Sequence, residues 1–212
     1  MKYAELCAGY GGLGLAVEEA FPGAELAWYS EFDPAPSKIM AAHWPDAPNH
    51  GDMTAIDWAA VEPVDLISGG TPCQDLSHAG RRRGMTEGTR SNLWVAMREA
   101  VAVIQPTYVV WENVRGAYSA CADSEIDSEL GRCPRCVDPH SGAKHAPNLR
   151  ALGRVLGDLS TLGYDTQWRG LRAADVGAPH GRFRVFVLAR RRVVGVPRNA
   201  DVADVEGCRA AG

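Results

Sequence analysis

Short apolar runs alternate with segments of helical spacing through the first half of the chain. Apolar residues that recur every three or four positions predict helices over residues 13–20, 36–43, 93–104 and 149–162. Compact apolar runs predict strands over residues 3–7, 25–30, 65–68, 108–111 and 184–189, with a further strand just before Gly51. This alternation is typical of a parallel sheet covered by helices, so the pattern predicts an α/β fold.

The hydrophobic pattern is interrupted in two places. Between about residues 119 and 147 the chain is polar, rich in cysteine and histidine, and without a period. We interpret this segment as an insertion in one domain that covers residues 1–192. Residues 193–212 hold few large apolar side chains, which predicts a flexible tail.

Composition and charge narrow the class of protein. The chain has 212 residues, of which 46% are hydrophobic, and this is enough to bury a core in one domain. It has neither an apolar run of membrane-spanning length nor the layout of a secretion signal, so we expect a cytoplasmic protein that does not contact membranes. The net charge of −4 argues against nucleic-acid binding over the whole surface, but it leaves room for a local basic groove.

A glycine-rich segment follows the first predicted strand and begins the first predicted helix. Residues 9–14 satisfy G-x-G-x-x-G, which lets the backbone turn tightly and approach a nucleotide. Glu31 lies about twenty positions further on, where an acid that holds ribose hydroxyls is expected, and Asp52 follows the next predicted strand. The pattern favours an adenosine-type cofactor. A tight turn without a ligand, or the NAD or FAD site of an oxidoreductase, are the alternatives.

Cys73 is a candidate nucleophile. It lies in the segment Gly-Gly-Thr-Pro-Cys-Gln, directly after the predicted buried strand 65–68. Ligands of open α/β folds bind at the carboxyl edge of the sheet, where this loop must lie. A half-buried structural thiol is the alternative for a lone cysteine.

Four sequence blocks together resemble the DNA cytosine-5 methyltransferase family. They are the glycine-rich segment, Gly-Gly-Thr-Pro-Cys-Gln at 69–74, Glu-Asn-Val at 112–114 and Pro-His-Gly-Arg-Phe-Arg at 179–184, in this order. The resemblance covers roughly residues 3–118 and 149–190. It implies a Rossmann-like, S-adenosylmethionine-dependent methyltransferase fold with a mostly parallel sheet and helices on both faces. One departure is His180, where the family usually has glutamine.

The resemblance also implies roles for individual residues and a double-stranded DNA partner. The S-adenosylmethionine pocket would be formed by Cys7, Gly9, Gly11 and Gly12, with Glu31 at the ribose, Asp52 at the adenine and Leu93 packed beside it. The reaction would use Cys73 as the nucleophile, Glu112 at the pyrimidine ring nitrogen, and Arg182 and Arg184 as supports for the catalytic loop and the base carbonyl. A further basic cluster at 81–83 is either a phosphate contact or a solvated charge run.

The polar insertion holds a candidate structural zinc site. Cys133 and Cys136 form a C-x-x-C pair, with Cys121 upstream and His140 and His145 downstream, from which four ligands can be drawn. We expect Cys121, Cys133, Cys136 and His140 to be the ligands. A loop with spare thiols is the alternative.

The family's target-recognition domain and final C-terminal motif have no recognisable counterpart in the sequence. Three interpretations stay open: a minimal enzyme, one half of a split enzyme whose recognition subunit is another chain, or an inactive remnant that keeps the fold. The target sequence cannot be read from this chain, because base readout in the major groove belongs to the part that is not recognised.

Overall fold

A computed structural model describes residues 1–71, 93–118, 121–122 and 149–193, with only the backbone of residues 121, 122 and 149. Its strands are β1 (Lys2–Leu6), β2 (Glu25–Ser30), β3 (Leu66–Gly69), β4 (Tyr108–Val114), β5 (Cys121–Ala122), β6 (Leu149–Arg150), β7 (Tyr164–Arg172) and β8 (Phe183–Arg191). Its helices are α1 (Gly12–Ala20), α2 (Pro34–His43), α3 (Leu93–Ile104) and α4 (Ala151–Thr161). Short 3₁₀ turns cover Met53–Ala55, Arg115–Tyr118 and Ala173–Val176.

The main sheet has six strands in the order β2-β1-β3-β4-β8-β7. The first four run parallel, whereas β8 is antiparallel to both β4 and β7. Helices α3 and α4 pack on one face of the sheet and α1 packs on the other. The expected mostly parallel sheet with helices on both faces is therefore confirmed.

Several details of the predicted elements are wrong. Leu149–Arg150, expected at the start of a helix, form strand β6. The strand expected before Gly51 is only an isolated bridge between Tyr29 and Asn49. Strand β7 was not expected, because it lies at the end of the sheet and exposes most of its side chains, so it lacks the apolar run of a buried strand. Strand β4 extends through Glu112 to Val114, since cross-strand pairing with β8 continues past its apolar part.

The largest core cluster joins the sheet to α3 and α4. Trp94 of α3 is fully buried and packs edge-on against Trp111 of β4, with ring centroids 6.0 Å apart. Its indole N–H donates to Asp158 of α4 over 2.7 Å, so the one polar atom of this ring is satisfied inside the core. These contacts fix both helices against the strand that carries Glu112. No helix in the described ranges has the length and apolar composition needed to cross a bilayer.

A buried carboxyl group fastens α1 to β1. The side chain of Glu5 is almost fully buried, and its Oε2 accepts the backbone N–H of Gly14 over 2.8 Å. A Cβ at Gly14 would lie 2.6 Å from the same oxygen, so the third glycine of the G-x-G-x-x-G pattern is required by helix–strand packing. Burial raises the pKa of Glu5 to about 7.

We predict that Glu5→Gln flattens the pH dependence of stability. Because the folded protein holds the Glu5 proton more tightly than the unfolded chain does, this stabilisation is complete below pH 4.5 and is lost as the pH rises through about 7. The stabilisation lost over this pH range is about 3 kcal/mol of unfolding free energy. Glutamine keeps an acceptor for Gly14 but does not ionise. Urea unfolding should show that the free energy of unfolding falls less between pH 5 and pH 7.5 in the variant than in the wild type. The control Glu19→Gln, a change at an exposed residue, should behave as the wild type.

Candidate active site and cofactor pocket

The candidate site lies at the carboxyl edge of the parallel strands. Cys7 follows β1, Glu31 follows β2, and Thr71 follows the end of β3, while Glu112 lies near the end of β4. Parallel strands end at the same edge of a sheet, and this is where open α/β folds bind their ligands. These four residues, which are far apart in the sequence, therefore lie along the same edge of the sheet.

The glycine-rich turn uses its glycines for two different reasons. Gly11 has φ +77°, and a Cβ there would lie 2.4 Å from the Trp44 ring, so packing and backbone conformation both exclude a side chain. At Gly9 and Gly12 a Cβ would meet nothing within 4 Å. The space above these two glycines is open, as a ligand cradle requires.

Glu31 closes the other side of this cradle. Its Oε2 accepts the backbone N–H of Gly9 over 2.7 Å, and its Oε1 accepts that of Asp33 over 2.8 Å. Each carboxylate oxygen can accept more than one hydrogen bond, so both can also accept ligand hydroxyls. The side chain of Asn49 holds the Glu31 backbone through N–H···O bonds of 3.0 and 3.1 Å. Sequence reasoning missed Asn49, because no motif marks a residue that acts through another residue's backbone.

The remaining candidate cofactor residues lie around the same turn. Asp52 caps the 3₁₀ turn Met53–Ala55, and hydrogen bonds from the backbone and hydroxyl of Thr54 lower the pKa of its carboxyl. The Cys7 sulfur lies 3.4 Å from that of Met53. Burial, with the charges of Glu31 and Asp52, raises the pKa of the Cys7 thiol to about 12. A thiol with so high a pKa stays protonated at neutral pH, which makes Cys7 a poor nucleophile; its expected place in the cofactor pocket stays a prediction.

Leu93 lies at the first position of α3 and packs, partly buried, against the main core. The described residues do not place it in contact with the glycine-rich turn, so its expected position beside the cofactor stays a prediction.

Glu112 and Arg184 form an ion pair between β4 and β8. Arg184 Nε lies 2.5 Å from Glu112 Oε1, and both side chains are largely buried. Burial raises the pKa of Glu112, although the charges of Arg184 and Arg182 act in the opposite direction. Loss of water outweighs the attraction, so this carboxyl is easier to protonate than an exposed glutamate.

The chain that leads to Cys73 is anchored beside Glu112. Thr71 is buried; its hydroxyl accepts the Trp111 indole N–H over 2.9 Å, and its carbonyl accepts the Asn113 amide over 3.1 Å. A Cβ at Gly70 would lie 3.1 Å from Glu112 Oε2, which shows how closely the two strand ends approach. Cys73 comes two positions after Thr71 and lies outside the described residues.

Other predicted residues are placed less completely. Arg182 is exposed, and its backbone N–H approaches His180 Nδ1 at 3.4 Å, so the imidazole accepts a bond within this turn. The cluster at 81–83 and the candidate zinc ligands Cys133, Cys136 and His140 lie outside the described residues. Cys121 is described only as backbone, paired with Arg150. In the described ranges no group of three potential metal ligands occurs, and the zinc site stays a prediction.

Comparison with solved structures identifies the fold. Dnmt2 methyltransferase of S. pombe superposes with a TM-score of 0.63 at 19% identity, covering 92% of this chain and 50% of that one. A DNA modification methyltransferase encoded within an E. coli prophage superposes with a TM-score of 0.60 at 23% identity, covering 90% and 47%. The fold is the Rossmann-like fold of S-adenosylmethionine-dependent methyltransferases.

Comparison of sequences adds the family. Residues 1–127 match the model of the C-5 cytosine-specific DNA methylase family, and the chain belongs to this family. The resemblance inferred from the four sequence blocks is thereby confirmed.

Two curated relatives are similar to this chain over most of its length. "DNA N-6-adenine-methyltransferase" of Escherichia phage P1 is 30% identical over 90% of this chain, which spans 28% of that protein. Type II methyltransferase M.NlaIV of Neisseria lactamica is 27% identical over 88% of this chain, which spans 40% of its length. The chain thus spans well under half the length of these two relatives.

The two kinds of glycine generate a prediction. Gly11→Ala should destabilise the fold by about 2 kcal/mol or more, because it combines positive φ with a steric clash. Gly12→Ala should preserve or slightly raise stability, because Gly12 is helical and unobstructed. It should nevertheless weaken S-adenosylmethionine binding, since the methyl group would fill the open space.

Thermal unfolding and calorimetric titration of both glycine variants provide the measurements. A Gly12→Ala variant that binds S-adenosylmethionine as the wild type does would contradict the assignment of this cradle to the cofactor.

Proposed function

We propose that this protein is a DNA cytosine-5 methyltransferase, which transfers a methyl group from S-adenosylmethionine to carbon 5 of a flipped-out cytosine through a covalent bond to Cys73. The observation that carries the proposal is the position of Glu112. Its partly buried carboxyl, with a raised pKa, lies beside the strand end that leads to Cys73. The methyltransferase family and the open cradle beside Glu31 support the cofactor.

Covalent catalysis overcomes the low nucleophilicity of carbon 5 of cytosine. Carbon 5 is a poor nucleophile until the ring is activated, so the Cys73 thiolate adds to carbon 6 and the electrons of the 5,6 double bond become available at carbon 5. After carbon 5 is methylated, it loses its proton to a base and the Cys73–carbon 6 bond breaks. The double bond is restored and the thiolate is regenerated.

Glu112 stabilises the charge that forms during this addition. A protonated or hydrogen-bonding carboxyl at the ring nitrogen offsets negative charge on the base, and its raised pKa favours the protonated form. A base that fills the site excludes more water and raises this pKa further. Arg184 holds the carboxyl in position through the 2.5 Å contact, and its Nη1–H donates to the Phe183 carbonyl over 2.9 Å. Its other N–H groups can donate to the base carbonyl.

S-adenosylmethionine, when bound, supplies an electrophilic methyl group on a positively charged sulfur. The open space above Gly9 and Gly12 leaves room for S-adenosylmethionine to approach the protein backbone. The two carboxylate oxygens of Glu31 can accept hydrogen bonds from its ribose hydroxyls. Residues 1–71 contain eleven acidic residues and only two lysines, so this half of the sheet favours a cationic cofactor.

The DNA substrate must present an unstacked base. A cytosine inside a duplex cannot reach a buried carboxyl, so the nucleotide has to rotate out of the helix. We propose that the catalytic domain covers residues 1–192, acts in the cytoplasm, and belongs to a restriction–modification setting, as the type II methyltransferase relatives suggest. Because the chain spans well under half of the two relatives described above, a separate recognition subunit fits the proposal as well as a recognition segment does.

We predict that Cys73 forms a trapped adduct with 5-fluorocytosine. The cysteine can leave only after carbon 5 has lost a proton. In 5-fluorocytosine a fluorine atom replaces this hydrogen and cannot leave as a cation, so the covalent bond to Cys73 persists after methylation. A pool of random-sequence duplexes with 5-fluorocytosine in place of cytosine, incubated with S-adenosylmethionine, should give a denaturant-resistant protein–DNA band. Cys73→Ala should abolish the band, and Cys208→Ser should keep it.

Nucleoside analysis of the methylated DNA distinguishes methylation at carbon 5 of cytosine from methylation at N6 of adenine. The proposal requires 5-methylcytosine. N6-methyladenine, the product suggested by the name of the phage P1 relative, would contradict it, as would a band that survives Cys73→Ala.

We also predict that Glu112→Gln slows catalysis by about 100-fold without weakening cofactor binding. Glutamine can still contact Arg184, but it cannot provide a proton. Radioactive methyl transfer to unmethylated plasmid DNA measures the rate, and calorimetry measures S-adenosylmethionine affinity. Glu99→Gln, an exposed change on α3, is the matched control and should retain the wild-type rate. Equal rates for Glu112→Gln and wild type would remove Glu112 from the mechanism.

A further inference from the structure

A cavity opens to solvent near the Glu112–Arg184 pair. It has a volume of about 520 Å³ and is lined by Arg115, Tyr118, Arg172, Gly181 and Phe183. This volume falls within the range of ligand-binding pockets. No step proposed above uses this cavity.

The residues that line the cavity are close neighbours of the proposed reaction centre, along the chain and across the sheet. Arg115 directly follows Val114, the last residue of β4, and Val114 is the cross-strand partner of Arg184. Phe183 directly precedes Arg184 at the start of β8 and pairs with Arg172 of β7. The cavity is therefore formed by the end of β7 together with the ends of β4 and β8, the two strands that carry the Glu112–Arg184 ion pair.

Aromatic rings give the cavity a rigid floor. Tyr118 packs against Phe183 and, edge-on, against Trp168, with ring centroids 6.2 and 5.6 Å apart. Gly170 makes this packing possible, because a Cβ there would lie 2.3 Å from Phe183 and 2.7 Å from the Tyr118 hydroxyl. This packing holds the Tyr118 and Phe183 rings in position relative to each other.

Two guanidinium groups line the cavity above this floor. The Arg115 guanidinium carbon lies 5.7 Å from the centre of the Phe183 ring, a cation–π contact that orients the side chain. Arg115 and Arg172 are both exposed, and neither makes an ion pair with any residue in the described ranges. Gly181 adds an open backbone edge, since a Cβ there would meet nothing within 4 Å.

The surrounding charge favours an anionic ligand. Residues 164–193 contain seven arginines and two aspartates, in a chain whose net charge is −4. Positive charge is thus concentrated on β7, β8 and their connection. Guanidinium groups match the oxygens of a phosphate group and can bind two of them at once.

We propose that Arg115 and Arg172 bind a backbone phosphate of the DNA strand next to the target nucleotide. The inference rests on the proposed function. A nucleotide that rotates out of the duplex carries its sugar and phosphate towards the protein, so a phosphate site next to the base site holds the rotated strand in place. The two arginines are positioning residues that act on the backbone and leave the reaction chemistry to Glu112 and Cys73.

Salt dependence of DNA binding tests the phosphate site directly. The full chain is titrated with a fluorescent random-sequence duplex between 50 and 200 mM NaCl, in parallel with Arg115→Gln, Arg172→Gln and the double variant. Each lost phosphate contact should lower the slope of log K against log salt by about one and raise the Kd at low salt by about tenfold. Arg115→Lys and Arg172→Lys keep the charge and should retain most of the slope.

Two controls separate the site from general charge effects and from misfolding. Lys38→Gln removes one exposed charge on α2, away from the basic strands, and should leave the slope unchanged. Thermal unfolding should change only slightly in the arginine variants, because both side chains are exposed and Arg115 loses only its cation–π contact with Phe183. An equal fall in slope for Lys38→Gln would overturn the inference.

The outcomes also distinguish this inference from the proposed function. A double variant that binds DNA with the wild-type slope would overturn the phosphate site, including when the wild type methylates DNA normally, and would leave the cavity to another anion, such as an acidic protein segment. A wild type that does not bind DNA would overturn it as well. Wild-type DNA binding that weakens as predicted in the variants, together with N6-methyladenine as the product or a 5-fluorocytosine adduct that survives Cys73→Ala, would support the phosphate site and contradict the proposed function.

Discussion

The hydrogen bonds that Trp111 and Asn113 make to Thr71 tie the end of β3 to β4, and the candidate active site depends on this tie. Without it, only the backbone ladder between the two strands would hold the end of β3 beside β4. Both donors and the acceptor are buried, so breaking either bond leaves an unsatisfied polar group in the core. The sheet therefore determines where Thr71, two positions before Cys73, lies relative to Glu112.

How well the fold could be predicted depended on where each element lies. Strands β1 and β3 are buried on both faces and appear in the sequence as apolar runs, so their approximate positions could be read directly. Strand β7 lies at the end of the sheet and presents polar residues to solvent, and its sequence carries no such signal. The strand expected before Gly51 was inferred from motif order, but the chain there makes only one bridge.

The candidate site shows the same division. Glu31, Glu112 and Arg184 belong to motifs, and the structure brings Glu112 and Arg184 together as one ion pair. Glu5, Asn49 and Thr71 act through partners that are distant in the sequence: Glu5 holds Gly14, Asn49 holds Glu31, and Thr71 accepts from β4. Such roles arise only when the chain is folded, because each depends on the distance between two segments and not on a local pattern.

Strand β7 has a consequence for how the protein behaves in solution. It ends the six-stranded sheet, and in the described part of the chain its outer edge has no neighbouring strand. An open edge can pair with another molecule, and charged side chains along it discourage this. Exposed Arg169 and Arg172 supply that charge, so the same guanidinium chemistry that suits a phosphate also protects the sheet from adding strands. Arg172 is common to this edge and to the proposed phosphate site, so replacing it with an uncharged residue would also remove a charge that discourages strand pairing.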